Sequence, residues 1–312
     1  MLKTLFYRII VSIPLIVLVS GITFVLQSMV PGDAARSIVG EEASEEVYEK
    51  VRTELRLDDP LLARWGNYLS DMVQGDLGLS LFSSMPVTTL IGQRLPVSLT
   101  LMIGATLLAV VFGVLLGVLS STKGKGLSKV VDAISMVGFA TPNFWLGLIL
   151  VAAFAIAIPI FPATGYREFG TDPAIWIMFL ILPFLALAVN GIALIAKAVR
   201  DAMLTNLNMP YIQTLRAAGV AKRSLIWKHA LRNSGVSAVT VMGLVVVSSL
   251  AGTVFVENVF ALPGLGSLAV SAINEHDMPV TQGVVLTYTI LIIIVNLLVD
   301  FLYTLINPKV RV

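Results

Sequence analysis

Long apolar stretches, separated by segments rich in charged and turn-forming residues, dominate this 312-residue chain. About 20 mostly apolar residues are needed to cross roughly 30 Å of hydrocarbon. Because lipid offers the backbone no hydrogen-bond partner, each stretch of that length is predicted to be an α-helix. The pattern therefore predicts an all-α membrane protein with six transmembrane helices. The predicted spans are residues 9–30, 97–119, 133–160, 174–196, 236–256 and 283–306.

The first apolar stretch follows Lys3 and Arg8, a combination that secretory signals also show. Its apolar run continues to Val30, which is longer than a usual signal core, and the sequence from Val30 to Asp33 is a poor cleavage site. We therefore expect an uncleaved first span.

Composition supports a membrane protein and restricts its chemistry. Charged residues make up 13% of the chain and hydrophobic residues 57%, whereas an average soluble domain has about 25% charged residues. There is no cysteine, and the two histidines, His229 and His276, fall in different loops. Disulfides and cysteine- or histidine-rich metal sites are therefore not expected, and we expect no cofactor in this chain and no nucleic-acid partner.

The distribution of lysine and arginine predicts the orientation. Fourteen of the 21 basic residues lie on the face that carries both termini, whereas 16 of the 19 acidic residues lie on the other face. Since lysine and arginine concentrate in cytoplasmic loops, the first face is predicted to be cytoplasmic. The N-terminal segment 1–8 and the C-terminal segment 307–312 are therefore both expected inside.

The predicted loops differ in character. The outer loop 31–96 is too long for a simple connector; we interpret it as a small helical cap on the outer face, with a plain spacer as the alternative. The inner loop 120–132 and the outer loops 161–173 and 257–282 are shorter. The outer loops contain turn-forming proline and glycine.

The cytoplasmic loop 197–235 is the most informative segment. It carries apolar residues, among them Tyr211, Leu215 and Trp227, between its basic ones. Because a disordered tether would lack such residues, the loop is predicted to be folded and partly helical. It is expected to dock on the membrane surface, where basic residues favour anionic lipid, or on a protein partner.

A polar residue inside a span is a functional candidate by default, and Asn190, Asn296 and Asp300 are the candidates for a pathway or structural role. Asp300 lies about 17 residues into its span, roughly 26 Å at 1.5 Å per residue. This depth places it near the cytoplasmic interface, where it can pair with a local lysine or arginine. Asn296 is one turn earlier on the same helix face.

Sequence signatures of enzymes and nucleotide sites are missing. The chain has no G-x-x-x-x-G-K-[ST], H-E-x-x-H or G-x-S-x-G sequence, so neither a P-loop for ATP nor an active site is predicted. A secondary carrier or channel and a membrane-embedded enzyme are the alternative functions. The first would need charges at the membrane midplane or internal repeats, and the second a cluster of His, Asp or Ser.

Short sequence pieces indicate a family. Residues 211–219 read YIQTLRAAG and residues 227–233 read WKHALRN. Together they resemble the coupling-loop signature of ABC importer permeases, in the dipeptide/oligopeptide/nickel branch. Further pieces of that branch follow in order along the chain: Pro31-Gly32-Asp33, Gly75-Asp76-Leu77-Gly78, Arg94-Leu95-Pro96, Pro142-x-Phe144-Trp145, Pro162-x-x-Gly165, Phe260-x-x-Pro263-Gly264-x-Gly266, Asn296-x-x-x-Asp300 and Asn307-Pro308-Lys309.

The resemblance implies the type I ABC importer permease fold and a coupling segment that sits as a short helix in a groove of a separate ATPase subunit. Small residues allow close approach, and glycine ends the helix. Leu215, Gln213 and the missing proline after Asn233 depart from the usual pattern of that branch. The residues that would contact the ATPase are Gln213, Thr214, Arg216, Ala217, Ala218, Gly219 and His229.

The resemblance also implies partner proteins and a cellular location. These are a second, homologous permease subunit, two ATP-binding cassette subunits that hold ATP and Mg²⁺, and an extracytoplasmic solute-binding protein. They would work by alternating access in a bacterial or archaeal plasma membrane to import a peptide, a nickel chelate or an oligosaccharide. By location alone, docking of the binding protein is expected at Pro263, Gly264, Leu265 and Gly266.

Overall fold

The computed structural model describes residues 2–30, 34–40, 42–54, 56–122 and 125–306. Some sequence-based expectations therefore lie outside the described residues. They are the predicted C-terminal segment 307–312 and the pieces Pro31-Gly32-Asp33 and Asn307-Pro308-Lys309.

Most of the described residues are helical, and the only β pairing among them is an isolated bridge between Leu79 and Pro86. Two π-helical turns accompany the α-helices, at Ala152–Ala157 and Leu225–Ala230. The α-helices are α1 (Leu2–Met29), α2 (Ala34–Val39), α3 (Glu45–Glu54), α4 (Leu61–Val73), α5 (Val87–Thr122), α6 (Lys125–Ala140), α7 (Asn143–Val151), α8 (Pro173–Leu207), α9 (Pro210–Ala217), α10 (Lys222–Ser224), α11 (Leu231–Val259), α12 (Leu265–Asn274) and α13 (Met278–Ile306).

Five helices in the described ranges are long and apolar enough to cross a membrane, and they match the first, second, fourth, fifth and sixth predicted spans. Several continue well past the predicted ends: α8 extends to Leu207 and α5 begins at Val87. The length of an apolar run reflects the thickness of the hydrocarbon and not the full length of the helix. Polar residues with adequate helix propensity extend the helix beyond the hydrocarbon into water.

The predicted third span, 133–160, is not one helix, and this corrects the sequence-based expectation. α6 ends at Ala140 and α7 starts at Asn143. Pro142 has extended backbone angles (φ −64°, ψ 141°). Proline lacks an amide hydrogen and holds the preceding residue out of the helical region, so the helix ends before it. α7 and the following π-helical turn contain nine and six residues, too few to cross a membrane alone.

The chain divides into two compact units. The first contains Ser98–Leu262 and the end of α13 from Val295. Its centre is α8, which packs against α6, α7 and α11. A buried apolar cluster that includes Ala109, Ile195 and Val245 joins α5, α8 and α11.

Glycines allow α5 and α8 to approach closely. A Cβ atom on Gly117 would lie 2.7 Å from the Cβ of Val199 and 2.8 Å from the carbonyl oxygen of Ala196. One turn earlier, a Cβ on Gly113 would lie 2.7 Å from the Cβ of Ile195. The G-x-x-x-G spacing on α5 is therefore a true contact of the kind that packs membrane helices.

The second unit contains Leu2–Val97 and Pro263–Ile294. Its apolar cluster joins the start of α5 to α12 and α13 through residues such as Val87, Leu265 and Val284. A buried hydrogen bond from Ser80 Oγ to Asp277 Oδ2 (2.6 Å) ties the Gly75–Ser80 turn to the start of α13. Large apolar side chains of α1 remain exposed along most of its length.

Replacing Gly117 by valine should lower the free energy of unfolding by about 2 kcal/mol or more, because overpacking a tight contact costs about 1–3 kcal/mol. Thermal unfolding of the detergent-purified protein measures this loss. Gly92→Val is the matched control, since Gly92 is on the same helix and a Cβ there would meet nothing within 4 Å. Equal destabilisation by both changes would contradict the role assigned to Gly117.

Candidate functional site

The predicted coupling residues lie on and just after the short helix α9. Pro210 takes its first position, where a missing amide hydrogen costs nothing. His229 is half-buried in the π-helical turn that leads into α11. The exposed residues form a continuous stretch that we call the α9 surface: Gln213, Thr214, Arg216, Ala217, Ala218 and Gly219.

The end of α9 is a complete Schellman motif. The amide of Val220 donates to the carbonyl of Leu215 (3.1 Å), and the amide of Gly219 donates to that of Arg216 (3.1 Å). Gly219 has φ +80°, in the left-handed region that glycine adopts without strain. No atom lies within 4 Å of where its Cβ would be. Glycine is thus required here by backbone conformation and not by crowding within the chain.

The opposite side of α9 is anchored to the first unit. Ile212 is fully buried in the cluster that also contains Leu225 and Ala230. Tyr211 Oη accepts a hydrogen bond from the side-chain amide of Asn233 on α11 (2.8 Å). α9 therefore presents one face to solvent while its other face is held by α8, the π-helical turn and α11.

The segment around α9, which the sequence predicts to be cytoplasmic, is strongly basic. Arg216, Lys222, Arg223, Lys228 and Arg232 are all exposed. The single acidic residue between positions 197 and 235 is Asp201, and its carboxylate lies 3.4 Å from Lys197 Nζ. The α9 surface is consequently suited to a partner with acidic groups.

Asn190 lies at the interruption between α6 and α7. Its side-chain amide donates to the carbonyl of Thr141 (3.1 Å) and to Oδ1 of Asn143 (2.6 Å). Its own Oδ1 is buried and has no hydrogen-bond partner among the described residues. A Cβ on Gly252 of α11 would lie 2.5 Å from Nδ2 of Asn143. Three elements thus meet at a polar cluster inside the predicted span region.

The other predicted polar candidates are on α13. Asn296 is exposed, and Asp300, one turn later, is half-buried. Val299 beside them packs closely on α11, where a Cβ on Gly243 would lie 2.7 Å from its Cγ1. A pathway role for either residue stays a prediction.

The four residues expected to dock a binding protein are mostly covered by the chain itself. Gly264, Leu265 and Gly266 are buried, and only Pro263 is half-exposed. The segment starts α12, where the amide of Gly264 donates to Ser267 Oγ (3.1 Å). Among these four residues, the docking prediction therefore rests on Pro263.

Sequence reasoning did not single out two polar pairs, one buried and one part-buried. Glu257 follows the fifth predicted span directly, is 0% exposed and accepts a hydrogen bond from Ser98 Oγ at 2.5 Å. Arg200 of α8 forms an ion pair with Asp132 of α6, beside a cavity of about 600 Å³. An acidic residue directly after an apolar run was the available signal for Glu257. Arg200 and Asp132 are far apart in the sequence, so no sequence signal indicated that they pair.

Within the described ranges, no three His, Asp or Glu side chains come together as metal ligands.

Sequence comparisons relate almost the entire chain to transport permeases. Residues 109–312 match the family model described as binding-protein-dependent transport system inner membrane component, and residues 1–102 match its N-terminal companion. A protein named as a peptide transport system permease from Brucella abortus (strain 2308) is 38% identical over 305 residues, 97% of each chain.

Two relatives from Escherichia coli are similarly close. The glutathione transport system permease GsiC of strain CFT073 is 36% identical over 312 residues, covering 100% of this chain and 99% of GsiC. The protein named as the D,D-dipeptide transport system permease DdpB of strain K12 is 34% identical over 321 residues, covering 95% and 94%.

Among solved structures, the inward-facing MetNI methionine ABC transporter contains a chain with the same fold. The superposition has a TM-score of 0.59 at 17% identity, and it covers 70% of this chain and 97% of the MetNI chain. At this level of identity the likeness concerns the fold alone.

Asn190→Leu should destabilise the protein by about 1–2 kcal/mol. A hydrogen bond between membrane helices averages about 0.6 kcal/mol, and here the two that Asn190 donates are lost. Thermal unfolding in detergent measures the change.

The control for this variant is Asn208→Leu, because the side chain of Asn208 is exposed and donates only to the carbonyl of Leu204 in its own helix (2.9 Å). That change should stay within about 0.5 kcal/mol, as surface changes usually do. If Asn190→Leu is equally mild, the polar cluster does not hold the interruption together.

Proposed function

This chain belongs to the family of binding-protein-dependent transport system inner membrane components. On that premise we propose that it transports small peptides and that ATPase subunits drive the transport by binding at the α9 surface. It is a membrane-spanning permease subunit of an ATP-driven importer and is itself non-catalytic. The observation that carries the proposal is the exposed, rigidly ended α9, whose reverse side is anchored to the spans.

The composition of the α9 surface supports seating in a groove of an ATPase subunit. Ala217, Ala218 and Gly219 have almost no side chain, so a partner can approach the backbone closely. Arg216 adds one long cation at the edge, which can pair with an acidic group of the ATPase. The Schellman ending fixes the shape of the segment, so little conformational entropy is lost when the partner binds.

Short connections link α9 to two of the membrane-spanning helices, so a displacement of α9 can be transmitted to them. Only Asn208 and Met209 separate α8 from α9, and the π-helical turn Leu225–Ala230 continues directly into α11. The buried cluster around Ile212 makes these elements move together. Closure of two ATPases on ATP would therefore shift α8 and α11, and the solute path would open alternately to each side.

The proposed complex contains a second, homologous permease subunit, two ATP-binding cassette subunits and an extracytoplasmic solute-binding protein. ATP and Mg²⁺ would bind to the cassette subunits and not to this chain. The exposed apolar surface of α1 is available to lipid or to the second permease. The proposed location is a bacterial or archaeal plasma membrane.

The names of the relatives point to the solute. They refer to peptides, to glutathione and to D,D-dipeptides, which share the amide group. The carboxamides of Asn143 and Asn190 lie inside the first unit and offer a donor and an acceptor to such a group. We therefore propose a short peptide or peptide-like solute.

Ala218→Trp should detach the ATPase subunits without unfolding this chain. Ala218 is exposed and has ordinary backbone angles (φ −76°, ψ 6°), so the indole obstructs a partner and adds no strain. The experiment purifies the complex in lipid through a tag on this chain, co-expressed with candidate partner subunits. ATPase retained per chain and ATP hydrolysis should both fall more than tenfold, or about 1.4 kcal/mol in binding.

Ala174→Trp, an exposed alanine at the opposite end of α8, is the control and should retain the ATPases. Unchanged retention in Ala218→Trp would remove the α9 surface from the coupling contact. If the chain purifies without any ATPase and still moves solute down an ion gradient, the carrier alternative holds, and Asn296 and Asp300 become the transport site to test.

A further inference from the structure

An apolar groove runs along α1 in the second unit, where α4 lies beside it. The indole Nε1 of Trp65 donates to Ser20 Oγ (3.2 Å), and Gly21 leaves room for the same ring. These contacts hold α4 against the outer half of the first span. The groove has a volume of about 620 Å³ and is lined by Pro14, Val17, Gly21, Val25, Leu61 and Trp65.

A smaller cavity of about 300 Å³, lined by polar and apolar side chains, adjoins the groove at Phe24, which lines both. Phe24 is close to the outer end of α1, so the cavity lies at the level where hydrocarbon gives way to headgroups. The polar residues that line the cavity are Arg56, Arg64, Asn67, Tyr68, Asp71, Asp76 and Gln282.

Two of these side chains lack adequate partners. Arg64 is half-buried, and among the described residues its only hydrogen bond is to the sulfur of Met278 (3.2 Å), with no carboxylate within 4 Å. Burial lowers the pKa of Arg64, while the charge of Asp59 opposes that shift. A cation in this setting is costly unless an anion binds it.

The hydroxyl of Tyr68 is buried and has no hydrogen-bond partner in the described part of the chain. Burial also raises the pKa of Tyr68 to about 12, so the hydroxyl keeps its proton at neutral pH. The Tyr68 side chain lines the same cavity as Arg64, and a buried donor without an acceptor costs about 1–3 kcal/mol.

We propose that the groove and the cavity together bind one phospholipid with an amine headgroup, such as phosphatidylethanolamine. An acyl chain fills the groove along α1. The phosphate accepts hydrogen bonds from the Arg64 guanidinium and the Tyr68 hydroxyl. The ammonium group lies beside Asp71 and Asp76, and Arg56 is the second cation that lines the cavity.

The shape and charge of the two cavities favour this ligand over others. Two arginines, Arg56 and Arg64, and two carboxylates, Asp71 and Asp76, line the cavity, so a headgroup that carries both charges keeps the site neutral, whereas an anionic headgroup would leave a net negative charge. A peptide would match the charges, but its amide groups would lie unpaired in an apolar groove. Leu18 and Leu26 beside the groove are each 59% exposed, as side chains that face lipid are.

Native mass spectrometry of the whole complex, after exchange through a second detergent, tests the site. Wild type should keep one phosphatidylethanolamine per chain, and Arg64→Gln should lower that retention at least fivefold. Tyr68→Phe keeps the ring and the fold and should lower it about twofold, because only the hydroxyl is lost. Asp71→Asn should reduce the preference for phosphatidylethanolamine over phosphatidylglycerol.

Arg167→Gln is the control, because Arg167 is exposed in an outer loop of the first unit and should retain the lipid. Equal retention in Arg64→Gln and Arg167→Gln would overturn the proposal and leave only surrounding membrane lipid. Arg64-dependent thermal stabilisation by alanyl-alanine, with lipid retention unchanged, would assign the cavity to the solute instead. ATPase content, read from the same spectra, reports separately on the proposed function.

Discussion

Every backbone amide and carbonyl that enters the hydrocarbon of a membrane needs a partner from the protein itself, and the arrangement of the first unit follows from that constraint. Continuous helices meet it without help. The interruption before α7 does not, because Pro142 has no amide hydrogen to donate and the amide of Trp145 donates to the carbonyl of Pro142 and not to that of Thr141. Asn190 supplies the missing donor, and Gly252 leaves space for Asn143. The interruption therefore persists only while α7, α8 and α11 are packed together.

Close packing holds those helices together. In lipid, helices gain little from burying apolar surface, so association depends on van der Waals contact between small residues. Gly191 of α8 shows this, since a Cβ there would lie 2.7 Å from Val245 and 2.8 Å from Ala109. α9 is anchored to the same cluster through Ile212, so the exposed α9 surface is attached directly to these closely packed helices.

The spans were predictable because length and hydropathy alone decide whether a helix can cross a membrane. The interruption was not predicted although Pro142 is visible in the sequence, because the apolar runs on both sides of it were read as one. The exposed α9 surface followed from the family resemblance. The burial of Leu265 did not, since an exposed and a covered Pro-Gly turn look alike in sequence. Glu257 was missed because its partner, Ser98, is distant along the chain.

The small side chains of the α9 surface have an evolutionary consequence. A partner that contacts Ala217, Ala218 and the backbone at Gly219 recognises mainly the shape of this segment. Many sequences can form that shape, because these residues offer few side-chain groups for specific contacts. Residues that face the solute can then diverge without changing this surface. Under the proposed contact, one kind of ATPase subunit could serve several permeases, and a duplicated permease gene could acquire a new solute range without a new ATPase.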